Sequence, residues 1–137
     1  MNERQVLIIK HSWSYILLQS EKTGDLFYQT LFQDFPSLEA LFHNNMAAQT
    51  HKFMAMMTFM VARLQYPDEV EGEFHALAHR HMQYGVQLID YDLIGHVLLK
   101  TLARILNERW TPETHDAWQT LYKTITNVML DSIQERS

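Results

Sequence analysis

Apolar residues recur at three- and four-residue spacing along almost the whole chain, and only four glycines and three prolines interrupt them. That spacing is the period of the α-helix, and no stretch alternates as a half-buried strand would. The glycines and prolines nowhere cluster into a linker, and no internal repeat divides the chain. The expected fold class is therefore all-α, with six or seven helices of unequal length in a single domain over residues 1–137. Asn2 is placed to cap a first helix with Val6, Ile9, Trp13 and Ile16 on one face, and a second helix is expected from about Thr23 to Phe35. Pro36 opens a short helical turn ending near Phe42, and His43-Asn44-Asn45 reads as a loop. A helix over Met46–Gln65 should stop at Pro67, and Asp68-Glu69 suit the positive end of the next, which reaches Gln83 before Gly85 ends it. Asp90 can cap a long helix to Arg109, and Thr111-Pro112 form a cap and first-turn pair for the last.

Composition narrows the function classes. With 47% hydrophobic residues, 137 residues can bury a core around a flat cofactor. A net charge of -5, with no basic stripe on any helix, argues against a nucleic-acid surface. The absence of cysteine removes disulfides, thiolate metal sites, a thiol nucleophile and any thioether-anchored haem or bilin. The N-terminus has no apolar segment with a cleavage site, and no run of about 18 apolar residues exists to span a membrane. A cytoplasmic chain without membrane or nucleic-acid partners is the expectation.

Spacing also sorts the helix faces. In Met46–Gln65, Gln49, Phe53, Met56, Met57, Met60 and Leu64 share one face, and His51, Ala55, Thr58, Ala62 and Gln65 another. Gln49 is then a lone amide on an apolar face, and on spacing alone a bond to neighbouring backbone at the core's rim is the preferred account of it. The methionines serve as flexible core filler. In Asp68–Gln83, Phe74, Leu77, Ala78 and His81 face inward while His79 is rotated away, so His79-Arg80-His81 cannot chelate together. A histidine so placed is ordinarily a satisfied core residue. His75 and His79 are spaced to grip a surface metal, but a solvated face is the preferred reading of them. Gly24 and Tyr28 share a face of the second helix, where the glycine allows a close crossing and the tyrosine brings a hydroxyl among apolar groups. His96, between Asp92 and Lys100, reads as part of a solvated charged face, and His11 lies off the first helix's apolar stripe.

Several chemistries find no motif. There is no His-Glu-x-x-His for a zinc peptidase, no Glu-x-x-His pair for a di-iron bundle, no Gly-rich phosphate loop and no nucleophile elbow. One inward histidine remains, with an inward glutamine and an inward tyrosine on two other helices. Periodicity leaves open whether these groups meet.

The residues do, however, resemble a known family. Pro36-Ser37-Leu38-Glu39-Ala40-Leu41-Phe42 is similar to the globin segment that ends in a pocket phenylalanine. Gly24-Asp25-Leu26-Phe27-Tyr28-Gln29-Thr30-Leu31-Phe32 resembles the globin second helix, and Gln49-Thr50-His51-Lys52-Phe53-Met54 the start of the distal helix. His79-Arg80-His81-Met82-Gln83-Tyr84-Gly85-Val86 resembles the proximal segment, and Asp116-Ala117-Trp118 with Tyr122 the start of the last helix in bacterial globins. The ordered set covers essentially the whole chain and is most similar to flavohaemoglobin-like, single-domain bacterial globins. The last-helix glutamate of that branch is replaced by Ile133, with Glu135 two residues on, and a chain without a reductase domain after Ser137 is the expectation.

The resemblance implies one noncovalent haem b per chain, with His81 as the iron ligand and Tyr91 beside it. It implies Phe42, Phe53, Leu77 and Val86 as apolar walls, and Lys52 near a propionate at the solvent edge. Tyr28 and Gln49, with Phe53, would face a diatomic ligand: oxygen, held tightly, and also carbon monoxide or nitric oxide. An alternative is nitric oxide dioxygenation with a separate reductase. A gas sensor with a partner is a third possibility, while a haemless interaction module would need none of these residues together.

Overall fold

A computed structural model describes residues 1–42 and 45–134, so the loop expected at His43-Asn44 and the acid Glu135 lie outside it. The described residues form six α-helices: α1 (Glu3–Leu17), α2 (Ser20–Asp34), α3 (Met46–Ala62), α4 (Pro67–Gln83), α5 (Leu88–Leu106) and α6 (Pro112–Gln134). Short 3-10 turns cover Pro36–Leu41 and Asn107–Arg109, and there is no strand among the described residues. No described helix is long and apolar enough to cross a membrane.

Local chemistry sets most of the ends. The Asn2 side chain accepts from the Gln5 backbone N–H at 2.8 Å, and the Gln5 side chain accepts from the Asn2 N–H at 3.0 Å, closing a reciprocal cap on α1. Pro67 is the first residue of α4 and does not merely stop α3, because a first-turn residue needs no N–H partner. Gly85 takes φ +92 after α4, and the Val86 N–H donates to the His81 carbonyl at 2.9 Å. Asp90, expected as a cap, instead lies inside the first turn of α5. Its carboxylate accepts from the Gln87 N–H at 2.8 Å, so the helix begins earlier than its acid suggested. The same helix ends at Leu106, short of Arg109, where Asn107 turns to φ 51. Thr111 Oγ1 accepts from the Thr114 N–H at 3.1 Å and caps α6 as expected.

Packing corrects two helix faces. Along α3 the buried stripe is Thr50, Met54, Met57, Met60 and Val61, while Gln49, Phe53 and Met56 lie half-buried beside it, and Leu64 falls past the helix, which ends at Ala62 and not at Gln65. Thr58, sorted outward by spacing, is half-buried and accepts the Trp13 indole N–H at 3.1 Å. The helix packs on both α1 and α2, so it buries more than one stripe. In α4 His79 is also half-buried, with its Nε2 enclosed. At the centre, Trp118 on α6 donates its indole N–H to Ser12 Oγ on α1 at 2.9 Å, and its ring lies 5.8 Å from Trp13.

Candidate functional site

The crossing of α2 and α3 is fixed by Gly24. A Cβ there would stand 2.2 Å from Thr50 Cγ2, so only hydrogen permits this approach. One turn further along α2, Tyr28 then meets α3 at its partly open edge. The Gln49 side-chain N–H donates to the Tyr28 hydroxyl oxygen at 3.2 Å. Because that oxygen accepts, the phenolic proton remains free to be donated elsewhere, as does the second amide hydrogen of Gln49. Burial pushes the Tyr28 phenol above its ordinary range, which keeps it protonated.

Aromatic rings hold this pair in place. Phe53 stacks on Phe27 with centroids 4.4 Å apart and planes 1° from parallel. Phe42 and Phe53 both present edges to the Tyr28 ring, at 5.4 and 6.0 Å. The sequence-predicted distal set therefore forms one cluster. Lys52 stands apart from it, exposed on the outer side of α3.

A second cluster forms where α4 meets α5. His81 is largely buried, and desolvation, with the neighbouring Arg80 charge adding to it, lowers its imidazole pKa to about 4. The Tyr91 hydroxyl lies 3.4 Å from His81 Nδ1, and among the described residues no hydrogen bond engages Nε2. Tyr91 is itself braced from α6, since the Tyr122 hydroxyl donates to its carbonyl at 2.6 Å. That brace was not legible in the sequence. It depends on Gly95, where a Cβ would sit 2.4 Å from the Tyr122 ring, and only a glycine at a helix crossing hints at such contact.

The turn after His81 borders the segment carrying Phe42, because a Cβ at Gly85 would lie 3.8 Å from Leu41 Cδ2. Phe42, Phe53, Leu77 and Val86 pack against the core yet remain only half-buried, which leaves apolar surface for a flat apolar group to cover. No group of three or more His, Asp or Glu side chains converges to hold a metal ion among the described residues. A neutral imidazole with one nitrogen oriented and the other open is the donor that haem iron takes. The residues present fit that group.

The chain matches the family model described as Globin over residues 25–129, more than half its length. It is 26% identical over 134 residues to a flavohemoprotein of Vibrio cholerae, covering 96% of this chain and 34% of that protein. It thus spans about a third of the length of such relatives. A mouse haemoglobin subunit zeta is 25% identical over 137 residues, covering 95% of this chain and 94% of that one. Among solved structures, a bacterial globin from Campylobacter jejuni superposes with TM-score 0.85 at 22% identity, covering 98% and 97% of the two chains. An engineered carbene transferase from Rhodothermus marinus, provisionally designated a nitric oxide dioxygenase, gives 0.88 at 18%, covering 99% and 96%. At these identities the structural likeness speaks for the fold. Sequence match and architecture agree, and the chain belongs to the globin family, with homology to the globin domains of flavohemoproteins.

Proposed function

We propose that this globin holds one noncovalent haem b and binds a diatomic gas, oxygen above all, with slow release. Haem iron, when bound, supplies a Lewis-acid centre with a coordination position for a small ligand. His81 would hold the iron: burial keeps the ring neutral, and the Tyr91 hydroxyl at Nδ1 orients it, leaving Nε2 to bind the metal. Tyr122 holds Tyr91 in register. Phe42, Phe53, Leu77 and Val86 would exclude water, and Lys52, exposed on α3, would pair with a propionate.

The observation that carries the reading is the Tyr28–Gln49 pair, two donors joined at 3.2 Å within an aromatic wall. Each has a hydrogen left to donate to a ligand that draws negative charge, as oxygen does more than carbon monoxide. A hydrogen bond to a charged group contributes roughly 1.5–3 kcal/mol, so each donor slows oxygen release by about one to two orders of magnitude. The test is stopped-flow displacement of oxygen by carbon monoxide. Tyr28→Phe and Gln49→Leu should each release oxygen at least about tenfold faster and change carbon monoxide release much less. Equal oxygen rates in wild type and variants overturn the distal assignment.

A second reading draws on the flavohemoprotein relatives and on the nitric oxide dioxygenase designation of a structural neighbour. The same pocket would convert nitric oxide to nitrate with electrons from a separate reductase. Catalytic consumption of nitric oxide on adding a reductase distinguishes it from simple binding.

A further inference from the structure

A cleft of about 440 Å³ lies between α5 and α6, on residues that the gas-binding reading leaves unused apart from Tyr122. Its size is that of a small-molecule site. Two kinds of side chain in its lining bear on what it could bind. Trp110 and Tyr122 supply aromatic surface, while His96 and Lys100 from α5 and His115 and Lys123 from α6 supply bases. Two of the chain's five lysines and two of its eight histidines thus line one groove, against the single lining carboxylate of Asp92. With histidine counted neutral, the lining carries two positive charges and one negative, in a chain of net charge -5.

Not all of this charge is committed. Lys100 is held by Asp34 at 2.9 Å and His115 by Asp116 at 3.2 Å. Among the described residues Lys123 and His96 have no ion-pair partner. Trp110 also differs from the other two tryptophans. Trp13 and Trp118 are buried with their indole N–H groups bonded to Thr58 and Ser12, whereas Trp110 is half-buried and its indole N–H finds no protein acceptor among the described residues. An aromatic wall with a spare donor and unpaired bases beside it suits a planar anion.

The cleft also reaches the proximal histidine. Its Tyr122 wall is pressed against α5 at Gly95, donates to the Tyr91 carbonyl at 2.6 Å, and Tyr91 in turn meets His81 Nδ1 at 3.4 Å. We propose that this cleft binds a small aromatic carboxylate and that its occupancy is transmitted through Tyr122 and Tyr91 to the His81 imidazole. The second half rests on the haem-globin reading; the first does not.

The test uses nitrogen-15-labelled, haem-loaded protein titrated with benzoate, and with benzamide as a neutral analogue of the same shape. Benzoate should shift the Trp110 indole N–H, identified with Trp110→Phe, in a saturable way below about 10 mM, and benzamide should not. Lys123→Gln should weaken benzoate by about fivefold, while Lys22→Gln on α2 leaves it unchanged. With benzoate saturating each protein, the iron–histidine stretching frequency should move in wild type and stay unmoved in Tyr122→Phe, each compared with its own benzoate-free state. Equal shifts with benzamide, or shifts that never saturate, overturn the site. Binding with an unmoved iron–histidine frequency in wild type overturns the transmission. A chain that takes up no haem overturns the transmission together with the haem reading, and the benzoate titration still decides the cleft.

Discussion

A phenol and an amide placed among phenylalanines are costly unless their polar atoms find partners, and Tyr28 and Gln49 find each other. Their mutual bond makes the two contributions interdependent. The Tyr28→Phe/Gln49→Leu double variant should therefore raise the oxygen release rate by less than the product of the single effects, a shortfall measurable by the same stopped-flow method. The pair was only partly legible in sequence. Spacing put Gln49 on an apolar face and Tyr28 beside Gly24, but a residue's angle on its own helix does not reveal what lies opposite. On the other side, His81 is expected to be the sole protein ligand. His81→Ala should lose normal haem retention, or keep an iron whose absorption spectrum returns on adding imidazole; an unchanged spectrum would place the ligand elsewhere.

At the level of elements, glycines decide how closely helices approach. Gly24→Ala sets a methyl group 2.2 Å from Thr50 Cγ2, an overpacking that should cost about 1–3 kcal/mol in urea unfolding. Thr50→Ser removes that Cγ2, so in its background the cost of Gly24→Ala should largely disappear. If the penalty persists in the Thr50→Ser background, something other than this crossing sets it. The helix ends obey more local rules. Asn2→Ala opens the reciprocal cap of α1 and should cost about 1 kcal/mol by the same measurement. Such ends were readable because a cap and its target lie within three residues of each other. Asp90 was misplaced for a related reason: an acid can serve equally as the cap or as the residue that reaches back to it, and the two differ by a shift along the chain.

Across the whole molecule, stability has two sources that can be separated. One is the protein's own core, where Trp118 links α6 to α1 through Ser12. Trp118→Phe leaves Ser12 still donating to the Ile9 carbonyl, so the loss is one hydrogen bond and some packing, about 1–3 kcal/mol by urea unfolding. The other is the proposed cofactor, which binds the folded chain and stabilises it by mass action. Acid–organic extraction should remove the haem entirely, since no cysteine is present to tether it. The resulting chain should melt at a lower temperature and regain its original Tm on adding haem; identical melting with and without haem would contradict the proposed pocket.

The sequence by itself determined an all-α chain of six or seven helices in this order, the starts of α1, α3 and α6, the end of α4, the core face of α1, and the place of His81 on an apolar face of α4. Those features follow from interactions that span a turn or two of one helix, and a one-dimensional pattern records them directly. Only the tertiary structure decided that α3 buries Thr50, Met54 and Val61 ahead of Gln49 and Phe53, and that Thr58 turns inward to Trp13. It joined Gln49 to Tyr28 and Tyr91 to His81, which spacing left open and the family resemblance only implied, and it alone joined Tyr122 to Tyr91. Each of these depends on where two helices cross and at what distance. Crossings are set jointly by side chains far apart in sequence, such as Gly24 with Thr50 and Gly95 with Tyr122, and no single helix carries that information.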